Sequence, residues 1–294
     1  MIEAVTATNL PEFLEYCRLW AASHDESFVP SQTEALEPDQ PSFVLRQGGR
    51  VVGAASLMVG GSWARAGQGR FAVLHAGGGH HGSAQDYGEL IEACRRAAGS
   101  RVRTLSLFLP ESLTTPRDHL TALGFGPERL VSLMARSTTD TPRAEAPGYR
   151  LRSLARHDPA LSDFLAVRNR NFREVVGSND QTLEDMDARF TDAEAWPGGI
   201  NLLVDTQGRP CGTFALEQDD EPDALFLATI AVDRHLRSQG LGRFLVRSAL
   251  DLARNAGKAR VYLSVNALNA QARRLYESEG FQLVKAMVCL VLPI

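Results

Sequence analysis

The stretch Ala231-Val232-Asp233-Arg234-His235-Leu236-Arg237-Ser238-Gln239-Gly240-Leu241-Gly242 governs the reading of this 294-residue chain. It joins the apolar run 225–232, a buried strand by composition, to an amphipathic helix predicted over 242–256. That helix puts Leu245, Ala249, Leu252 and Ala256 on one face and stops at Gly257. Gly240 and Gly242 reach backbone conformations closed to other residues and let a ligand approach the main chain. The free N–H groups of Ser238, Gln239, Gly240, Leu241, Gly242 and Arg243 would converge at the helix N-terminus, where the dipole favours an anion. Arg237 and Arg243 add positive charge. A diphosphate suits such a place. The plain alternative is a strand-to-helix turn whose glycines only permit close packing. The G-x-x-x-x-G-K-[ST] pattern is missing, so hydrolysis of a nucleoside triphosphate is not indicated.

Outward from this loop, a strand over 260–265 and a helix over 270–278 follow, with Gly280 closing the helix and an apolar strand over 284–292 at the end. Before it, 149–154 alternates apolar residues with arginine, and Asp158-Pro159 opens a helix with a cap and a proline. A weaker helix near 183–190 comes next. A hairpin over 201–204 and 211–217 turns at Thr206-Gln207-Gly208. Strands and helices interleaved in this way imply an α/β sheet layered by helices.

The polar, proline-containing segment 138–147 reads as a linker. It divides the chain into a first domain over 1–137 and a second over 148–294. The halves repeat one pattern. Gly49-Arg50-Val51-Val52-Gly53 resembles Gly208-Arg209-Pro210-Cys211-Gly212, and Leu123-Gly124-Phe125 resembles Glu279-Gly280-Phe281. The order of elements between these anchors also matches, which indicates a duplicated domain.

The segment Arg237-x-x-Gly240-x-Gly242 after a hydrophobic strand resembles the coenzyme A signature of the GCN5-related N-acetyltransferases. The downstream Asn269-x-x-Ala272-x-x-Leu275-Tyr276-Glu277-x-x-Gly280-Phe281 is similar to the second signature of that family. The resemblance covers the second half and implies two tandem acyl-CoA N-acyltransferase-like domains, each a mixed, mainly antiparallel sheet flanked by helices. It further implies acetyl-CoA as co-substrate, with the pantetheine arm along Ile230, Ala231 and Val232. The pyrophosphate would sit on the amides from Arg237 to Arg243, with Asn269 and Ala272 across the channel and Tyr276 near the thioester sulfur. The reaction it implies is direct acetyl transfer to a primary amine of a small molecule or peptide.

A tyrosine there makes chemical sense. Its reference pKa, about 10, keeps it protonated at neutral pH, and the departing thiolate has a reference pKa of about 8.5. Tyr276 is therefore the candidate general acid; alone on a helix it would be a packed ring. Glu217, ending a hairpin strand, is the candidate base. Asp219, Asp220 and Glu221 read as a solvated turn, and Asp233 and His235 as exposed. In the first half a glycine run replaces the arginine-led signature, and Leu113 and Leu120 stand where Asn269 and Tyr276 do. That half reads as a degenerate copy. Two rivals are a coenzyme A-binding sensor without turnover, and a dinucleotide-binding protein using Gly77-x-Gly79-x-x-Gly82.

Composition removes other classes. A net charge of -4 and a pI near 6.0 supply no basic field for nucleic acid or an anionic membrane. No apolar run approaches a membrane helix, and the start resembles no signal peptide, so a cytoplasmic location is expected. Four separated cysteines read as buried thiols. Seven scattered histidines offer no Cys/His cluster, so no metal is expected.

Overall fold

A computed structural model describes residues 1–24, 34–77, 82–191, 195–219 and 221–294 of the chain. They divide into two compact units, Met1–Leu130 with Ala286–Ile294, and Val131–Lys285.

The second unit contains β7 (Tyr149–Ser153), α5 (Leu161–Phe172), α6 (Leu183–Arg189), β8 (Ile200–Asp205), β9 (Pro210–Gln218), β10 (Ala224–Val232), α7 (Leu241–Asn255), β11 (Arg260–Asn266) and α8 (Ala270–Ser278). Its sheet runs β6-β11-β10-β9-β8-β7, where β6 spans Gly126–Ser137 and enters this unit from Val131. Every pair is antiparallel except β10 with β11. Neighbouring residues on a strand face opposite sides of a sheet. Leu203, Phe214 and Leu216 pack with Leu245, Ala249 and Leu250 of α7 and Tyr276 of α8. The alternate residues Leu202 and Ala215 pack with Phe164 and Val167 of α5 and Met186 of α6. Helices therefore cover both faces.

The first unit repeats this plan with β1 (Ile2–Ala4), α1 (Leu10–Leu19), β2 (Ser42–Gln47), β3 (Arg50–Met58), α2 (Gly61–Ala66), β4 (Gln68–Ala76), α3 (Ala84–Ala98), β5 (Thr104–Pro110), α4 (Thr114–Ala122) and β12 (Gln282–Pro293). Its sheet order is β1-β2-β3-β4-β5-β12, with β4 and β5 the parallel pair. The duplication is visible element by element. Thr104–Pro110 returns as Arg260–Asn266, Thr114–Ala122 as Ala270–Ser278, and Gly126–Ser137 as Gln282–Pro293, each 156 residues on.

The last strand of each repeat changes partner. β6 follows the first repeat in sequence, yet pairs with β11 from Val131 to Ser137. β12 ends the second repeat and pairs with β5 from Met287 to Pro293. The unit boundaries thus depart from the 1–137 and 148–294 division expected from the sequence. Residues 138–147 hold no helix or strand, and Thr138 is fixed on the turn after α7, its amide on Ala259 O at 2.9 Å and its hydroxyl on Lys258 O at 2.6 Å.

Two local readings change. Asp158 does not begin the helix; its carboxylate accepts the Ala160 amide at 2.9 Å and holds Arg152, so α5 starts at Leu161. The buried face of α7 is Leu241, Leu245, Val246, Ala249, Leu250 and Ala253, while Leu252 is exposed, because the stripe turns toward the 246/250/253 edge. All four cysteines are free and buried.

Phe214 has no solvent exposure and lies in the core beneath α7. Phe214→Ala should cost about 3–5 kcal/mol in a denaturant titration; a loss under about 1 kcal/mol would mean that this core is not close-packed.

Candidate functional site

The site begins with a pairing that stops early. β10 and β11 run parallel, but their register covers only Ala224–Phe226 against Arg260–Tyr262. Both strands continue, β10 to Val232 and β11 to Asn266, where β11 remains paired with β6. On its other side β10 carries a register shift between Leu227 and Thr229, which leaves Ala228 as an extra residue and bends the strand. Among the described residues, the edge of β10 from Leu227 to Val232 faces no strand on the β11 side. Ile230, Ala231 and Val232 lie on this open edge.

The edge leads into the glycine loop. Ser238 has φ 64°, and Gly240 caps α7 with φ 85° and no side-chain cap. Six consecutive amides, Ser238 to Arg243, make no hydrogen bond among the described residues; the first bonded amide is Phe244 N on Gly240 O at 2.9 Å. A Cβ on Gly240 would meet nothing within 4 Å. Free donors, the positive end of a helix and open space make an anion seat.

Arg237 and Arg243 do not point their charge at this seat. Arg237 Nε donates to Val232 O at 3.1 Å and its Nη2 to Asn171 Oδ1 at 3.0 Å. Arg243 Nε lies 2.7 Å from Glu279, whose side chain is 2% exposed and also takes Arg247 at 2.8 Å. Both guanidiniums are held by neighbouring groups, and the amides are the unbonded donors of the loop.

Asp233 is buried rather than exposed as expected. Its carboxylate accepts from Arg170 Nε at 2.7 Å and Arg170 Nη2 at 2.5 Å, and from Asn171 Nδ2 at 2.9 Å. Burial alone would raise its pKa, but the hydrogen bonds from Arg170 and Asn171 and the Arg170 charge outweigh that and hold it below the usual carboxylate range. This network ties the exit of β10 to α5. Its partners lie 62 and 63 residues apart in sequence, so no local pattern announces it.

Asn269 caps α8, its Oδ1 accepting the Ala272 amide at 3.1 Å. Ala272 is partly buried against the core, and Leu275 packs so closely on Gly242 that a Cβ there would come within 3.1 Å. The two sequence signatures thus meet through α7 and α8. Tyr276 is 6% exposed, its ring 5.9 Å from that of Phe281. Its hydroxyl makes no hydrogen bond among the described residues, and burial pushes its pKa well above the ordinary range.

Glu217 stands opposite Phe226, the last residue of β10 still paired with β11. It faces the α5/α6 side, where Arg189 Nη1 lies 2.8 Å away. The turn after it is not freely solvated. Asp219 is half-buried, with burial raising its pKa, and Glu221 accepts the Tyr262 hydroxyl at 2.9 Å. Asp220 lies outside the described residues.

The corresponding helix in the first unit, unlike α7, carries a side-chain cap. Ser83 caps α3, and the Asp86 carboxylate accepts the Ser83 amide at 2.9 Å in a capping box. Gly79 lies outside the described residues. A Cβ on Gly82 would come within 2.6 Å of the Ala76 carbonyl. The Asp86 carboxylate takes up the Ser83 amide at the start of this helix. Among the described residues there is no group of His, Cys, Asp and Glu able to hold a metal ion, and no helix is long and apolar enough to cross a membrane.

Residues 163–281 match the acetyltransferase (GNAT) family. The chain is 34% identical over 137 residues to a mycothiol acetyltransferase of Beutenbergia cavernae, covering 46% of this chain and 45% of that protein. It is 35% identical over 99 residues to the ribosomal protein bS18-alanine N-acetyltransferase of Escherichia coli, covering 30% of this chain and 67% of that protein. The chain spans about half the length of the mycothiol acetyltransferases it matches. Two solved structures share the fold at TM-score 0.70. They are a GCN5-related N-acetyltransferase from Sphaerobacter thermophilus, 19% identical with 100% and 95% coverage, and a tandem GNAT protein from the clavulanic acid biosynthesis pathway, 17% identical with 100% and 98% coverage.

Since nothing crowds Gly240, a side chain there costs only backbone strain. Gly240→Ala should lower stability by about 1–2 kcal/mol in thermal or chemical unfolding; an unchanged or higher stability would contradict the left-handed loop.

Proposed function

We propose that this chain, which belongs to the acetyltransferase (GNAT) family, transfers an acetyl group from acetyl-CoA to a primary amine through its Val131–Lys285 unit. The observation that carries this reading is the run of six free amides, Ser238 to Arg243, beside an unpaired strand edge. The diphosphate takes the amides. The pantetheine amides add to the Leu227–Val232 edge as a further strand would.

The chemistry then needs little else. The amine nitrogen, with its lone pair free, attacks the acyl carbon; the C–S bond breaks, and the electron pair leaves on sulfur. Tyr276, kept neutral by burial, donates its hydroxyl proton toward that sulfur. A phenol this weakly acidic favours a hydrogen bond to the developing thiolate over early proton release, so its main effect is stabilisation of charge in the transition state. Glu217 receives the amine as an ammonium and takes its first proton, directly or through water; the second nitrogen proton, acidic once the C–N bond forms, replaces the one that Tyr276 gives to sulfur. Arg189, 2.8 Å from Glu217, is the cation that the substrate ammonium would displace or share that carboxylate with.

The relatives differ in name, a mycothiol acetyltransferase and a ribosomal protein bS18-alanine N-acetyltransferase, and neither acceptor is assigned to this chain. In the first unit the start of α3 is capped by Ser83 and Asp86, and Leu120 stands where Tyr276 does, which supports placing the reaction in the second unit.

Two measurements test the reading. Tyr276→Phe should lower kcat about 10²-fold while leaving the Kd for acetyl-CoA within about twofold; an unchanged kcat in a thiol-release assay removes Tyr276 from the mechanism. Calorimetric titration with acetyl-CoA should give one site per chain, and two sites would show that the first unit also binds it.

A further inference from the structure

The α5/α6 side of the second unit holds an unusual set of polar atoms. Arg168 on α5, Gln181 between α5 and α6, and Arg189 at the end of α6 each bury one side-chain atom, Nε, Oε1 and Nη1, that makes no hydrogen bond among the described residues. Buried polar groups are normally satisfied, so three exceptions in one segment require a reason. Arg168 is 8% exposed; its other nitrogens hold the segment through Asn169 Oδ1 at 3.1 Å, Ser178 Oγ at 3.1 Å and the Asn179 carbonyl. Burial, and then the charge of Arg189, push its pKa down to about 10, so the two guanidiniums lie within each other's field. Of the carboxylates near Arg168, Asp180 is exposed and Asp185 accepts the Thr182 amide at 2.7 Å and hydroxyl at 3.0 Å.

Arg189 is the member that meets Glu217, the proposed base. Its Nη1 is 2.8 Å from Glu217 Oε1 but off the line of a hydrogen bond, and the two side chains are only 20% and 16% exposed. We infer that this unit accepts amines that carry a carboxylate close to the nucleophilic nitrogen, with Arg189 as the specificity-determining residue that binds that carboxylate. The inference rests on the acetyl-transfer reading and narrows its acceptor.

The argument is one of charge balance. A simple ammonium bound to Glu217 draws that carboxylate away from Arg189 and leaves a largely desolvated guanidinium with no other ion-pair partner among the described residues, which is costly. A zwitterion brings its own anion. Its ammonium takes Glu217, its carboxylate takes Arg189 by a forked contact, and the ion pair is exchanged for two others. Arg168 Nε and Gln181 Oε1 add an unused donor and acceptor to the same side. An amine whose carboxyl is far away or amidated gains none of this.

The test compares each of a panel of free L-amino acids, glycine and β-alanine with its own carboxamide, by thiol release from acetyl-CoA on the full chain. The acids should exceed their amides by about tenfold or more in kcat/KM. Arg189→Gln should bring that ratio toward one through KM for the acids, and Arg189→Lys should recover part of it, since a point charge remains. Amides used as well as acids, or a ratio untouched by Arg189→Gln, overturns the inference and leaves acetyl transfer standing. If Arg189→Gln does not fold, the wild-type ratio and the Arg189→Lys response decide. No thiol release with any amine, while acetyl-CoA binds by calorimetry, overturns the acetyl-transfer reading and this inference with it.

Discussion

Everything in the second unit depends on two parallel strands that stop pairing after three residues. β10 and β11 share main-chain bonds only from Ala224 to Phe226, and the extra residue Ala228 then bends β10. A sheet that abandons a ladder leaves backbone donors and acceptors exposed, a condition proteins ordinarily avoid. Here the open edge runs directly into a loop whose next six amides are also unbonded. A ligand with alternating amides and a terminal diphosphate satisfies both sets together. The surroundings keep the loop in place: Asp233 fastens it to α5, Arg237 returns to Val232, and Glu279 holds Arg243 and Arg247 beneath the start of α7.

The two repeats show how one frame can lose or keep this capacity. In the first unit β4 and β5 also pair for three residues, Gln68–Arg70 against Thr104–Ser106, and a register shift falls between Ser56 and Leu57 of β3. The same early end of the parallel pairing therefore appears in both repeats. What differs is the helix mouth. Ser83 and Asp86 close α3 with an internal carboxylate, whereas Gly240 leaves α7 uncapped. The capping box is worth about 1 kcal/mol to its helix and satisfies an amide of the kind that α7 leaves unbonded. On α4, Leu120 replaces the tyrosine carried by α8, so the first repeat lacks that hydroxyl.

Much of this was legible in the sequence. The 156-residue offset seen at Leu123-Gly124-Phe125 recurs through the final strands and helices of both units, because hydrophobic periodicity and terminal glycines are local properties. The glycine loop and α8 were found for the same reason. The exchange of β6 and β12 could not be read, since each strand has the same pattern whichever sheet it joins. Nor could the direction of charged side chains. Arg237 and Arg243 lie beside the anion seat in sequence, yet their guanidiniums turn to Asn171 and Glu279, and Asp233 is buried by partners 62 and 63 residues away. Arg189, the partner of Glu217, sits at the end of a short helix that carries no motif. Long-range pairing of charges follows from the folded geometry alone.

The most direct measurement is a crystal structure of the full chain with acetyl-CoA. The account predicts the diphosphate oxygens within about 2.7–3.2 Å of amides between Ser238 and Arg243, and the pantetheine bonded along Leu227–Val232. A coenzyme bound elsewhere, with those amides still facing solvent or filled by a protein side chain, would contradict it.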